Sequence, residues 1–352
     1  MKKTKKFHIG WGFGNCNFKC IHCYNSSKKQ KYKYQLDLLL STARQLCLIA
    51  DSINFGSGEF IYNDHTIELL EFIHSEFSEV PIALTTNGSS VLRLSEEKLL
   101  YFHDIDVSLD FPTKEKQVDF RQHSSAWDIP IKALQKLKSI NKIPFTIVTC
   151  VTNMTQSDDI KRLLELANNF NAFLRISWLR KTGYASDGLY LTPRHAWNLL
   201  NTIIENSYIV NIDSIFGAPM EINVNKCPAG LNSLRIQDNG DVTPYTFLKS
   251  KDWVIGNIYE NLDFLQNIDE KINEICSRNL FECKNCQFLS LCQGGCISRA
   301  YLHRGDKNKA DDLCYKVAQI PFDFIKKMKE KIKFKKYNLV HGGYLCTTIV
   351  TT

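Results

Sequence analysis

A chain of 352 residues, 44% hydrophobic and 23% charged, has the composition of a globular protein with room for one large domain and a smaller one. No apolar run approaches membrane-spanning length, and the lysine-rich start at residues 1–6 leads into no apolar signal core, so a soluble, cytoplasmic protein with no membrane partner is expected. The net charge of +7 is modest and sits mainly at the ends. Its densest run, residues 326–336, reads first as a solvated helix face and second as an attractor of acidic peptide, so no nucleic-acid partner is expected.

In chain order, residues 6–11 read as a short strand, and the loop that follows holds Cys16, Cys20 and Cys23. Three thiolates spaced C-x3-C-x2-C can wrap one corner of an iron–sulfur cube and leave the fourth iron without a protein ligand. A zinc knuckle or a disulfide is the alternative, but those use paired C-x2-C or mixed Cys/His sets. Residues 36–50 have helical apolar periodicity, 52–55 read as a strand, 66–77 as a helix and 81–85 as a strand before the Asn87-Gly88 loop signal. A short helix over 95–102, a strand over 105–109, an amphipathic helix over 126–140, a strand over 145–152, a helix over 158–170 and a strand over 173–178 follow. Strands alternating with helices argue for an α/β fold with a parallel sheet. In a barrel of this kind the chemistry sits at the C-terminal ends of the strands. Thr192-Pro193 is an N-cap and first-turn signature for a helix to about residue 205.

The second half opens with a strand-like stretch over 208–213, then Cys227, then 233–245, which alternates around Asn239-Gly240 as a hairpin does. Cys283, Cys286, Cys292 and Cys296 are spaced C-x2-C-x5-C-x3-C, and Cys314 follows. A zinc ribbon fits these spacings poorly. Thirteen cysteines in a cytosolic chain are not expected to form disulfides, and their clustering points to metal centres. Cys47 and Cys150 read as inert core thiols. The uncharged, β-prone tail after His341 is expected to pack on the body as a strand.

The cysteine triplet resembles that of the radical S-adenosylmethionine (SAM) superfamily, and the later cysteines resemble a SPASM domain, a C-terminal iron–sulfur extension found in peptide-modifying members. The resemblance covers about residues 7 to 316. It implies a partial (β/α)6 barrel over 1–190, a smaller α+β SPASM domain over 191–320, and a basic helix with an apolar tail over 321–352. It implies SAM as cofactor, a [4Fe-4S] cluster on Cys16, Cys20 and Cys23, and SAM contacts from His22, Tyr24, Gly56, Ser57, Gly58, Glu59, Asn87, Ser108 and Arg121. Ser57 stands where the family has glycine. Cys283, Cys286, Cys292 and Cys314 would hold an auxiliary [4Fe-4S] cluster. A further auxiliary cluster would use Cys227, Cys296 and a cysteine at the position that Tyr245 occupies, which leaves that set one thiolate short. Cys276 stands as a substitute and Cys346 only as a candidate hydrogen donor.

The activity implied is radical modification of a ribosomally made precursor peptide by a thioether or carbon–carbon crosslink or by epimerisation. An electron donor such as flavodoxin or ferredoxin would be a partner. Leader recognition is expected to fall to a separate protein or to the SPASM half, because the first strand starts near residue 7 and leaves no room for a preceding recognition domain. Sulfatase maturation ranks lower, because Thr246 stands where those enzymes carry an Asp base. Small-molecule or tetrapyrrole chemistry and a non-catalytic iron–sulfur protein are the remaining alternatives.

Overall fold

The structure, a computed structural model, describes residues 5–26, 33–185, 187–222, 224, 226–343 and 346–352. The lysine-rich residues 1–4 and Tyr344 and Leu345 of the tail lie outside the described residues.

Six strands, β1 (Phe7–Trp11), β2 (Ala50–Phe55), β3 (Ile82–Thr86), β4 (Asp104–Ser108), β5 (Phe145–Val151) and β6 (Phe173–Trp178), pair in sequence order. Every pairing among them is parallel. Their apolar residues are almost all buried, as expected for strands covered by helices outside and side chains inside. The covering helices are Leu36–Ile49, Thr66–Glu76, Glu96–Leu99, Asp128–Ile140 and Ser157–Phe170, within a few residues of their expected bounds. The periodicity missed Lys114–Arg121, a charged helix with few apolar positions.

The sheet extends beyond this arc at both ends. Next come β7 (Tyr208–Asn211), the hairpin strands β8 (Ser233–Ile236) and β9 (Asp241–Thr243), β10 (Gly256–Asn257) and β11 (Thr348–Thr351). The full order is β10-β9-β8-β1-β2-β3-β4-β5-β6-β11-β7. The hairpin therefore returns from the second half and pairs parallel with β1. The C-terminal tail forms a strand, as expected, lying antiparallel between β6 and β7. Thr192 caps the helix Pro193–Asn206 by accepting from the His195 N–H at 3.3 Å, which confirms that start signal.

On its way to β11 the tail enters the barrel. His341 is buried there, with Nδ1 against Asp104 and Nε2 2.9 Å from Asn54 Oδ1, 3.1 Å from Asp106 and 3.2 Å from Thr85 Oγ1. Asp106 also pairs with buried Arg175 from β6. The basic helix Phe322–Lys331 buries Ile325 and Met328, while Lys329 and Lys331 reach Glu221 and Glu205 at 2.9 and 2.6 Å. This is the solvated face that the charge run suggested.

Candidate active site

The C-terminal ends of β1 to β6 surround a cleft with a cavity volume of about 190 Å³. Cys16, Cys20, His22, Cys23, Tyr24, Gly56, Ser57, Gly58, Asn87, Ser108 and Arg121 all line it. One anticipated residue, Glu59, does not.

The cysteine loop is tied to three neighbours. Ile21 N–H donates to Phe120 at 3.1 Å, Tyr184 N–H donates to the Cys23 carbonyl at 2.9 Å, and Glu59 N–H donates to the Asn15 carbonyl at 2.8 Å. Burial pushes the Cys20 thiol up to about 11, with Arg121 opposing it, and burial raises the Cys16 thiol as well. Buried thiols of this kind become thiolates when a cation binds them. Donors already face the Cys16 sulfur: the Phe18 N–H at 3.4 Å and the Asn87 side-chain amide at 3.8 Å. The donor set therefore fits an iron–sulfur group.

The glycine loop after β2 presses its backbone against the cysteine loop. Ser57 has a φ of 86°, which a side chain strains to adopt and which accounts for the family's glycine there. At Gly58, φ is 67° and a Cβ would lie 2.2 Å from the Phe13 carbonyl oxygen and 2.7 Å from that of Asn15. Gly58→Ala is therefore expected to cost about 1–3 kcal/mol through strain alone. It should also weaken SAM binding by pushing the two loops apart. Thermal unfolding and calorimetric titration with SAM check this, and unchanged values in both would show that the loops have slack.

Glu59 departs from the expectation of a cofactor contact. It is fully buried behind the cleft wall, where its carboxylate accepts from Thr86 Oγ1, Ser90 Oγ, the Asn87 N–H at 2.8 Å and the Ser90 N–H at 2.9 Å. Burial raises its pKa against those four bonds. Glu59 clamps the loop after β2 to the loop after β3, and so positions Asn87.

Arg121 is 8% exposed, so it is a buried cation of the cleft wall and not a solvated surface residue. Its Nε donates to Asp110 at 2.5 Å. Burial works against the Asp110 charge, but the Arg121 guanidinium holds its carboxyl below the usual range. His22 stacks on Phe120, with centroids 4.2 Å apart and planes 12° apart, rather than facing solvent. Burial lowers its pKa to about 4, so it is neutral at pH 7, and its Nδ1 is buried without a hydrogen-bond partner. The second half supplies part of the cleft wall through Arg235, Thr246 and Phe247. Phe247 meets Tyr24 edge-on at 5.2 Å and carries the Arg180 guanidinium 4.8 Å above its ring.

The later cysteines fall into two groups. Cys283, Cys286, Cys292 and Cys314 come together through tight turns, including Cys286 N–H to the Cys283 carbonyl at 2.8 Å. Burial pushes Cys292 up to about 11, and Cys314, Cys283 and Cys286 add to the shift, as mutually close thiols do. Cys227 and Cys296 are joined by Cys346 of the tail, and their three sulfurs all lie within 4.8 Å of one another. This corrects the ligand count made from spacing: the set has three sulfurs, and the third is not from Cys276. That residue ends the helix Ile268–Cys276 and packs against Gly230 at the edge of the same apolar cluster. Tyr245 accepts a hydrogen bond from the Cys346 N–H at 2.9 Å, so the residue that displaces a cysteine holds the backbone of its replacement.

Comparison with known proteins agrees with this geometry. Residues 13–168 match the radical SAM superfamily. The chain is 26% identical over 309 residues to mycofactocin maturase MftC of Mycolicibacterium smegmatis, covering 81% of this chain and 76% of the relative. It is 23% identical over 322 residues to the cysteine-type anaerobic sulfatase-maturating enzyme of Clostridium perfringens, covering 80% and 85%. The fold is similar to that of Streptococcus suis SuiB bound to S-adenosylmethionine, with a TM-score of 0.69 at 15% identity over 88% of this chain and 77% of the other. Residues 13–168 form a radical SAM domain. That domain is followed by a cysteine-rich C-terminal part, and over most of its length the chain is similar to MftC and to the sulfatase-maturating enzyme.

Proposed function

We propose that this enzyme binds a [4Fe-4S] cluster and SAM in the cleft at the strand ends and modifies a ribosomally made peptide there. The observation that carries the reading is the convergence in one cavity of the three cysteines, the glycine loop, Ser108 and Arg121, under a wall from the second half. Cys16, Cys20 and Cys23 would hold the cluster, and Cys283, Cys286, Cys292 and Cys314 would hold an auxiliary [4Fe-4S] cluster. When bound, the cluster and SAM would supply radical chemistry for hydrogen abstraction from the substrate.

The chain's own residues bind, orient and shield. The backbone of Gly56, Ser57 and Gly58 offers close approach to a small polar ligand, and Ser108 offers a hydroxyl. Arg121 brings positive charge whose partner, Asp110, is itself fixed by the Cys150 N–H at 2.8 Å. The stacked His22 and Phe120 rings present a flat face suited to an adenine, and a neutral His22 keeps that face free of charge. Tyr24, Phe247 and Trp178 shield the cleft from water on the side of the second half.

MftC and SuiB support a peptide as substrate, and SuiB has been solved bound to its precursor peptide SuiA. The product would be a thioether or carbon–carbon crosslink or an epimerised residue. A flavodoxin or ferredoxin would deliver electrons, and a separate protein would present the leader. The sulfatase-maturating relative favours a second reading, but Thr246 offers that cleft wall no carboxylate base.

The test is anaerobic turnover of the reconstituted enzyme with SAM and a short peptide encoded beside it. The expected result is 5′-deoxyadenosine together with peptide that has lost hydrogen, or peptide of unchanged mass with one inverted residue. Conversion of a sulfatase peptide instead, with the neighbouring peptide untouched, would select the second reading.

A further inference from the structure

We propose that Cys227, Cys296 and Cys346 form a site for a single thiophilic metal ion, Zn²⁺, separate from the cubane sites and completed by the C-terminal tail. Their sulfurs come from three segments far apart in sequence and lie within 4.8 Å of one another, with Cys296 and Cys346 buried and Cys227 half-buried with its sulfur turned inward. Thiolates sharing one tetrahedral ion at a metal–sulfur distance of about 2.3 Å stand roughly 3.8 Å apart. Thiolates of a cubane each bind their own iron and stand further apart, roughly 6 Å. Among the described residues, neither the Cys16, Cys20 and Cys23 set nor the Cys283, Cys286, Cys292 and Cys314 set gathers three sulfurs so closely. The structure itself thus separates this trio from the two sets that fit cubanes.

A second observation points to an anion at the same place. Arg180 is 3% exposed, and no carboxylate pairs with it among the described residues. Its Nη2 donates to the Cys346 carbonyl at 2.8 Å and faces the Cys296 sulfur at 3.7 Å, while its Nε is buried without a hydrogen-bond partner. A buried guanidinium needs compensating negative charge. Three thiolates on one Zn²⁺ leave a net charge of −1 beside it. The ion keeps a fourth position for water or another exogenous ligand.

The placement also gives the ion a job. Cys346 lies two residues before β11, the strand inserted between β6 and β7, so an ion bound to it ties the tail to the second half. Arg180 lines the active-site cleft as well, so the site stands one side chain away from it.

The experiment is metal analysis of the anaerobically purified full chain grown with both zinc and iron, with zinc-edge X-ray absorption on the same sample. The expected result is about one zinc per chain with about three sulfur ligands, alongside roughly eight irons. Zinc should fall at least about tenfold in Cys346→Ser and in Cys227→Ser, while iron is retained, and Cys276→Ser should keep its zinc. Wild-type protein without zinc, or zinc with no sulfur around it, overturns the site whatever the variants do. Close to twelve irons, falling by about four in Cys346→Ser, overturns the single ion in favour of a cubane. Zinc retained in both serine variants shows that it sits elsewhere. Loss of SAM cleavage with the zinc result intact would count against the proposed function and leave this site standing.

Discussion

Cys20→Ala is expected to lower reductive SAM cleavage to background and to remove about four of roughly eight irons per chain. The reason is a ligand count within a rigid loop. Cys20 sits between Cys16 and Cys23 and is 8% exposed, so no water-facing group can swing in to replace it. Its neighbours stay anchored through Ile21 to Phe120 and Cys23 to Tyr184, so the variant keeps its loop and fold and loses only a sulfur. Two thiolates then remain for a group that needs three and an open iron. Cys150→Ala is the matched control. Cys150 also lines the cleft, and burial pushes its thiol up to about 12, yet it belongs to β5 and to none of the three cysteine sets. That variant should retain cleavage. Iron quantification and chromatography of 5′-deoxyadenosine decide the matter, and wild-type cleavage by Cys20→Ala would remove the assignment of the cleft.

What could be read from the sequence was local. The six barrel strands announce themselves through apolar and β-branched runs, and the cysteine loop through its spacing. The cleft residues follow because each strand end in a barrel of this topology faces the same space. What could not be read depends on contacts between distant segments. Nothing in the spacing after Cys296 marks Cys346 as its neighbour; the pairing exists only because β11 inserts beside β6. His341 looks like any tail histidine until the tail places it between Asp104 and Asp106. Glu59 follows two glycines in a ligand-binding pattern, but four donors from the next strand end turn its side chain away from the cleft. The burial of Arg121 is hidden for a related reason: its helix is too charged for the apolar period to show, so neither the helix nor its buried face is visible in the sequence. An isolated cysteine or histidine near a chain end carries no local signal of the partner it will meet.

The same long-range logic makes Arg299→Met a strongly destabilising change, with an expected loss of about 3–5 kcal/mol. Arg299 is fully buried on the helix Ile297–Arg304. Its Nη2 reaches Asp213 at 2.7 Å and Asp311 at 2.6 Å, and its Nε lies 2.8 Å from the other Asp311 oxygen. Methionine can fill the space but leaves two carboxylates buried without their cation. Asp311 also accepts from the Cys296 N–H at 2.7 Å and the Leu313 N–H at 3.0 Å, and its carbonyl accepts from the Cys314 N–H at 3.0 Å. The damage should therefore spread to both later cysteine groups and appear as lost metal. A pH dependence comes with it. Burial raises the Asp311 carboxyl to about 7 even with Arg299 opposing the shift. A carboxyl whose folded pKa is raised favours the fold when protonated, and that contribution fades as pH rises through the folded value. Without the guanidinium the folded value moves higher still, so between pH 6 and pH 8 the folded variant must hold a proton that the wild type releases, and its stability keeps falling with pH where that of the wild type levels off. The gap between variant and wild type should accordingly be wider at pH 8 than at pH 6 when denaturant unfolding is followed under anaerobic conditions. Equal stability at both values would mean that the two carboxylates find other donors, and that Arg299 does not hold this corner of the fold.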